Sequence, residues 1–314
     1  MLPSSLPSKK TVNPTARPAD SVFVHGDKPR LEQIPTRIGL IAGEGNFPLL
    51  LAQAARSEGV DIYAFGVVGL VSDELARYSK EMFSLKLTEL SKLIDLCHQH
   101  RIRHVVMAGR VPHEVVTWVN QVSFDFRTLK ILGSLMDRRA DSLLKAAVAE
   151  LEKEDIQVLD STMFLKSCMP EPGLLTPRVP PSPEILRDIE FGYPLAKEVG
   201  RLDIGQTIAV KNGVVVAVEA LEGTDKLIKR CMELGGDGVV FIKIAKPRQD
   251  MRFDVPVVGL TTIRNLASAR AAALCITAHQ SLFFDRREAV ELAEQNRICI
   301  ISRDESKPLE SHGF

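Results

Sequence analysis

Two spacings of apolar residues alternate along the chain. Short apolar runs at Arg37–Ala42 (RIGLIA), Asp61–Gly66, His104–Met107, Gln157–Asp160, Gly238–Ile244 (GVVFIKI), Ala273–Thr277 and Ile298–Ser302 predict buried strands. Between them, apolar positions recur every three or four residues. In Thr88–His100, Leu90, Leu93, Ile94 and Cys97 share one helical face. Leu143, Leu144, Ala147, Val148 and Leu151 do the same in a long helix ending near Lys153. Leu49–Ser57, Glu74–Arg77, Ile263–Ala272 and Arg286–Gln295 also read as helical. Strands alternating with helices predict an α/β protein whose parallel sheet carries helices on both faces.

The first strand runs into Gly43-Glu44-Gly45-Asn46-Phe47-Pro48 and then a helix, the opening unit of a Rossmann-like fold. Pro48 suits a first helical turn, where its missing N–H costs nothing. Gly43 and Gly45 would let backbone N–H groups, with Asn46, approach an anion at the helix start. Leu49 replaces the third glycine of the dinucleotide fingerprint, so a tight turn outweighs a nicotinamide site and a phosphate or nucleotide cradle stays open. Gly109 and Arg110 follow the strand His104–Met107, where parallel sheets bind ligands. Pro183–Gly200 reads as a helix interrupted at Gly192 and Pro194, after a proline-rich loop at Met169–Pro183. The expected organisation is a disordered arm at 1–34, a Rossmann-like N-terminal domain with a parallel sheet at 35–165, a distinct C-terminal α/β domain at 166–305, and a loose tail.

The polar chemistry gathers in two stretches of the second half. Leu202–Asp225 reads as two strands closed by Lys211-Asn212-Gly213, since Asn-Gly tolerates the positive φ of a hairpin turn. Its second strand, Val214–Ala220, is nearly all apolar, which predicts cover on both faces. Glu219, Glu222 and Asp225 then surround Gly223 and Thr224 just before a helix over Lys226–Glu233. Helix capping and a polar site for a metal or phosphate fit this spacing equally. Between two apolar strands lies Lys246-Pro247-Arg248-Gln249-Asp250-Met251-Arg252-Phe253-Asp254, where Lys246, Arg248 and Arg252 could clamp phosphates and Asp250 and Asp254 orient them or bind a cation. A solvated loop with internal ion pairs is the bland alternative. Thr261 and Thr262 place hydroxyls at the next strand end.

Composition narrows the partners. The 314 residues are 45% hydrophobic and 25% charged, as expected of a soluble globular protein of about two domains. Lys+Arg 40 against Asp+Glu 40 leaves no basic field for nucleic acid. Five scattered cysteines without a Cys-x-x-Cys pair point to a reducing compartment and away from structural zinc. The Pro/Ser-rich start lacks the apolar core of a signal peptide, and Ile62–Val71 is too short to span a bilayer.

IAGEGNFP at 41–48, AGRV at 108–111, LDIGQ at 202–206, VEALEGTD at 218–225 and KPRQDMRFDVPVVGLTT at 246–262 together resemble the LpxI-type UDP-2,3-diacylglucosamine pyrophosphatases of lipid A biosynthesis. The resemblance spans roughly Ile38 to Ile301. It implies a lipid substrate held between two domains and Mg²⁺-dependent hydrolysis to UMP and 2,3-diacylglucosamine 1-phosphate. It implies a catalytic role for Asp225. The preference of Mg²⁺ for carboxylate oxygens fits Asp225 and Glu222 as metal ligands, with metal binding and water activation by Asp225 both open. Expected substrate and phosphate contacts in these stretches are Gly43, Gly45, Asn46, Gly109, Gln206, Thr224, Lys246, Gln249, Arg252 and Thr261. A cytoplasmic protein, peripheral to the inner membrane and homodimeric, completes that expectation. Ala140-Asp141 stands where the family often has two adjacent acids, which leaves any role there open. The competing reading is a non-catalytic nucleotide or sugar-nucleotide binding module, while hydride transfer fits worse for want of the third glycine.

Overall fold

Five parallel strands build the first sheet: β1 (Arg37–Ala42), β2 (Asp61–Val67), β3 (Glu81–Leu85), β4 (His104–Ala108) and β5 (Gln157–Val158), in the order β3-β2-β1-β4-β5. The structure, a computed structural model, describes residues 34–111, 125–134 and 140–309. The expected arm at 1–34 lies outside the described residues except for Ile34, as does the tail beyond Leu309. One compact unit begins at Pro35 and holds both halves of the fold. Alternation along β1 explains the layering. Ile38, Leu40 and Ala42 face α1 (Phe47–Ser57), while Ile41 turns to the side of α2 (Leu90–Gln99), α3 (Phe126–Ser134) and α4 (Ala140–Glu152). Strand β3 was not predicted because Glu81 and Ser84 are exposed and break its apolar run.

The second sheet has six strands in the order β6-β13-β11-β9-β7-β8. Parallel β9 (Val240–Lys243), β11 (Ala273–Thr277) and β13 (Cys299–Arg303) form its middle. The hairpin β7 (Thr207–Lys211) and β8 (Val214–Val218) joins antiparallel on one side, and β6 (Gly173–Leu174) on the other. Asn212 and Gly213 have φ of 53° and 72°, and the Asp188 carboxylate accepts both their amides. Full cover of β8 is corrected: it is an edge strand, and Val214 stays exposed because no further strand or helix reaches it. One face packs on α5 (Pro183–Arg201); the other packs on α6 (Thr224–Gly235), α7 (Leu260–Ser268) and α8 (Arg286–Gln295). Within the expected loose tail after 305, Leu309 is buried in the α5 core.

The two sheets share side chains. The short parallel pair β10 (Val257–Val258) and β12 (Leu282–Phe283) places Leu282 and Phe284 in the core of the first sheet, with Phe284 5.6 Å from Phe47, ring to ring. The loop before β10 adds a second seam: Ser161 donates its N–H and its hydroxyl to the Met251 carbonyl.

Helix α5 is continuous through Gly192 and Pro194, contrary to the expected break. Proline in a helix costs about 3 kcal/mol. Burial of Ile189 and Tyr193 against the sheet offsets it, at roughly 1.5–3 kcal/mol per large side chain. Gly192 is a packing device: a β-carbon there would lie 2.7 Å from Val210 Cγ2 and closer still to Ile242 Cδ1. Gly192→Ala should therefore destabilise by about 1–3 kcal/mol through overpacking, although propensity alone would favour alanine by up to about 1 kcal/mol. Urea unfolding measures the change, and a raised midpoint would refute the packing argument.

Candidate active site

The start of α6 is organised by one hydroxyl. Gly223, at φ 80°, turns the chain into the helix, and Thr224 and Asp225 open its first turn. Thr224 Oγ1 donates to Glu219 Oε1 at 3.0 Å and accepts from Lys243 Nζ at 3.2 Å. Thr207 Oγ1 sits 3.3 Å away, which completes the one donor and two acceptors of a hydroxyl. Lys243, the last residue of β9, is only 6% exposed and also donates to the Val257 carbonyl at 2.9 Å. Asp225 is half-buried, and Asn265 of α7 donates to its Oδ1 at 2.8 Å.

Burial pushes the Lys243 ammonium below its ordinary pKa, against the pull of Glu219, Asp225 and Asp254; Arg110 reinforces the lowering. Lys246 goes the other way. Burial alone would lower it, but Asp254 and Asp203 outweigh burial and hold its pKa high, at 3.0 and 2.8 Å from Nζ.

Among the described residues, the buried side-chain polar atoms without a partner are Gln206 Oε1, Glu219 Oε2, Gln249 Nε2, Ser281 Oγ, and Nε and Nη1 of Arg303. They share one edge of the second sheet. Glu219 follows β8, Gln249 follows β9, Ser281 follows β11, and Arg303 ends β13. Gln206 meets the end of β9, where its carbonyl accepts the Ile244 amide. Unpaired buried groups are rare in native proteins and each calls for an explanation. Their gathering at the carboxyl ends of parallel strands, where α/β sheets bind ligands, supplies one. A groove of about 620 Å³ runs along the same edge, walled by Lys246, Gln249 and Met251 and, from the first half, by Asp160 and Thr162.

The LpxI N-terminal domain family matches residues 37–168, and the LpxI C-terminal domain family matches residues 171–301. The UDP-2,3-diacylglucosamine pyrophosphatase LpxI of Caulobacter vibrioides is 30% identical over 85% of this chain and 98% of its own length. The chain belongs to the LpxI family. Among solved structures, an isoflavone reductase overlaps 87% of this chain and 80% of its own at 12% identity and a TM-score of 0.26. A Campylobacter jejuni biotin carboxylase overlaps 65% of this chain and 44% of its own at 15% identity and a TM-score of 0.24. Likeness at that level carries no argument about the LpxI fold or its site.

Several residues singled out in the sequence meet here. Asp225, Thr224 and Gln206 lie at this edge, and Lys246 and Gln249 line the groove. Others have different work. Glu222, expected as a metal ligand, is engaged within the protein: its Oε1 is 2.5 Å from Arg230 Nη2 and its Oε2 accepts the Ala220 amide. Burial would raise the Glu222 carboxyl, but those hydrogen bonds and the Arg230 charge hold it below the usual range. Arg252, expected at a phosphate, forks onto Asp250 and reaches Glu152 at 2.9 Å. The Gly43 turn is closed by backbone pairing. The amides of Gly43, Glu44 and Arg110 donate to carbonyls of Ala108, Arg110 and Glu44, and side chains at 43 or 109 would collide with that bridge. Gly45 has φ 98°, and Asn46 precedes α1 without a side-chain cap. Thr261 lies exposed in the first turn of α7, and Arg248 is exposed in its loop. At the start of α2, Asp125 accepts the Ser91 amide. Sequence reasoning missed Lys243 and Asn265. The available signal was the lysine itself, a charge inside the apolar run GVVFIKI.

A magnesium ion takes oxygen ligands, commonly one or two carboxylates with phosphate and water completing its shell. No group of three or more His, Cys, Asp or Glu among the described residues forms a complete metal cage. The donors present fit the sparser arrangement: Asp225 is held by one oxygen, and Glu219 Oε2 is buried without a partner. Lys243 gives a stability test that needs no ligand. Its folded pKa lies below the unfolded 10.5, so between the two values the unfolded chain binds more protons and stability rises with pH. Wild-type stability measured against Lys243→Met should climb as pH approaches 10.5 and then level off. A falling difference would mean that the carboxylates outweigh burial.

Proposed function

We propose that this LpxI-family chain hydrolyses the pyrophosphate of UDP-2,3-diacylglucosamine to UMP and 2,3-diacylglucosamine 1-phosphate in lipid A biosynthesis, with Mg²⁺. Family membership supports the substrate class. The observation that carries the site is the Thr224 knot: Thr224, next to Asp225 in the chain, holds Glu219 Oε1 and leaves Oε2 buried with no partner in the protein. A pyrophosphate diester resists water because its two negative charges repel a nucleophile, so hydrolysis needs charge neutralisation and a positioned water. Asp225 and Glu219 are the residues that would hold the metal. A bound Mg²⁺ would supply Lewis-acid polarisation of the phosphoryl oxygens. Asn265 fixes the rotamer of Asp225, and Lys243 offsets the carboxylates so that the incoming dianion is not repelled. No helix among the described residues is long and apolar enough to cross a membrane, so contact with the diacylated substrate is proposed at the lipid surface, by a homodimer.

UMP release from UDP-2,3-diacylglucosamine by the purified chain tests this reading, and its absence with Mg²⁺ present would end it. Asp225→Ala should lower turnover by at least about 10²-fold, the scale for losing one preorganised electrostatic group, with an unchanged circular dichroism spectrum. Normal turnover in that variant would remove Asp225 from the mechanism. EDTA should abolish UMP release and excess Mg²⁺ restore it.

A further inference from the structure

The groove beside the Thr224 knot contains a donor that the protein does not use. Gln249 Oε1 accepts the Lys246 amide at 2.7 Å. An amide nitrogen could not accept that bond, so the two ends of the Gln249 amide are distinguishable and Nε2 takes the other branch. Nε2 is buried and has no partner. A buried donor left unpaired costs about 1–3 kcal/mol, a cost relieved when an acceptor enters the groove.

The walls select the acceptor. Lys246, in the groove lining, already faces Asp203 and Asp254, so it adds little pull on a phosphate. Asp160 in the same lining is acidic, and Lys166 there is exposed. A neutral carbonyl therefore suits the Gln249 amide better than an anionic oxygen does. Met169 and Met251 present polarizable surface for the face of a ring. The Asp160 carboxylate, whose Oδ1 accepts from the amide and hydroxyl of Thr162, can take ribose hydroxyls on its remaining acceptor capacity. The groove also adjoins the knot, since Lys246 binds Asp254, whose charge acts on Lys243.

We propose that this groove receives the uridine of the nucleotide-sugar, and that Gln249 Nε2 donates to the O4 carbonyl of uracil and so reads the base. The proposal rests on the hydrolase reading for its choice of nucleotide. Cytosine carries an amino donor where uracil carries O4, so it would set donor against donor.

Calorimetric titration of the full chain with UMP and CMP tests the assignment. Wild type should bind UMP at least about tenfold more tightly than CMP, since a site built to donate to a group rejects an analogue lacking the acceptor. Gln249→Glu keeps the oxygen that accepts from Lys246 but replaces the donor with an acceptor. It should weaken UMP by about tenfold or more and erase or reverse the preference. Asp160→Asn, in the same lining, keeps the oxygen that serves Thr162; it should weaken UMP about tenfold and leave the base preference unchanged. Equal binding of UMP and CMP by wild type overturns the proposal, as does undiminished UMP binding in both variants. Turnover with an intact base preference in Gln249→Glu would sink this assignment while leaving the hydrolase standing. Gln249-dependent UMP binding without turnover would do the reverse.

Discussion

A lysine ammonium buried among carboxylates sets the terms for the second half of the molecule. Removing a charge from water costs several kcal/mol, and that cost is recovered only with good geometry and satisfied hydrogen bonds. Lys243 meets the condition by reaching Thr224 at the start of α6 and the Val257 carbonyl of β10, while Glu219, Asp225 and Asp254 supply the counter-charge. Three elements are thereby fixed to the end of β9. Breaking one partner of a buried pair typically costs about 3–5 kcal/mol, so the knot tolerates little slack. The placement of Glu219 follows from that electrostatic constraint, while Asn265 holds the Asp225 carboxylate.

The cationic loop has a related logic. Lys246 and Arg252 appear in sequence as phosphate clamps, yet both are occupied by carboxylates, and Arg110 pairs with Glu44 at 3.1 Å. Paired cations neutralise a pyrophosphate poorly. The loop works instead as a joint: Arg252 ties it to Glu152 of α4, and its Met251 carbonyl accepts from Ser161. Of the cations near this edge, Lys246 and Arg252 are thus held by carboxylates, whereas Arg303 keeps Nε and Nη1 without a partner.

Strands β1 and β11 and helix α8 were legible residue for residue, because an unbroken apolar run or a clean helical spacing marks each. The hairpin turn at Asn212-Gly213 was legible from its positive-φ residues. Gly192 and Pro194 misled because local rules cannot see a sheet that demands a glycine and holds a proline in place. At the site, the motif around Glu222-Gly223-Thr224-Asp225 was visible, but which carboxylate had a spare oxygen was not. Glu222 and Glu219 look alike in sequence. Only the position of Arg230, one turn and more along α6, decides that Glu222 is taken and Glu219 left open.

The junction between the halves bears on how the groove can work. A cleft that closes by hinge motion needs a seam that can part. Here the seam includes Leu282 and Phe284 in the core of the first sheet, and the double hydrogen bond from Ser161 to Met251. Opening it would expose aromatic and aliphatic surface worth roughly 1.5–3 kcal/mol per large side chain. Met251 and Gln249 belong to the same loop, so the wall of the groove is anchored by the contacts that hold the seam shut. A groove built that way is formed before the ligand arrives, and a ligand entering it is spared the ordering of a loop.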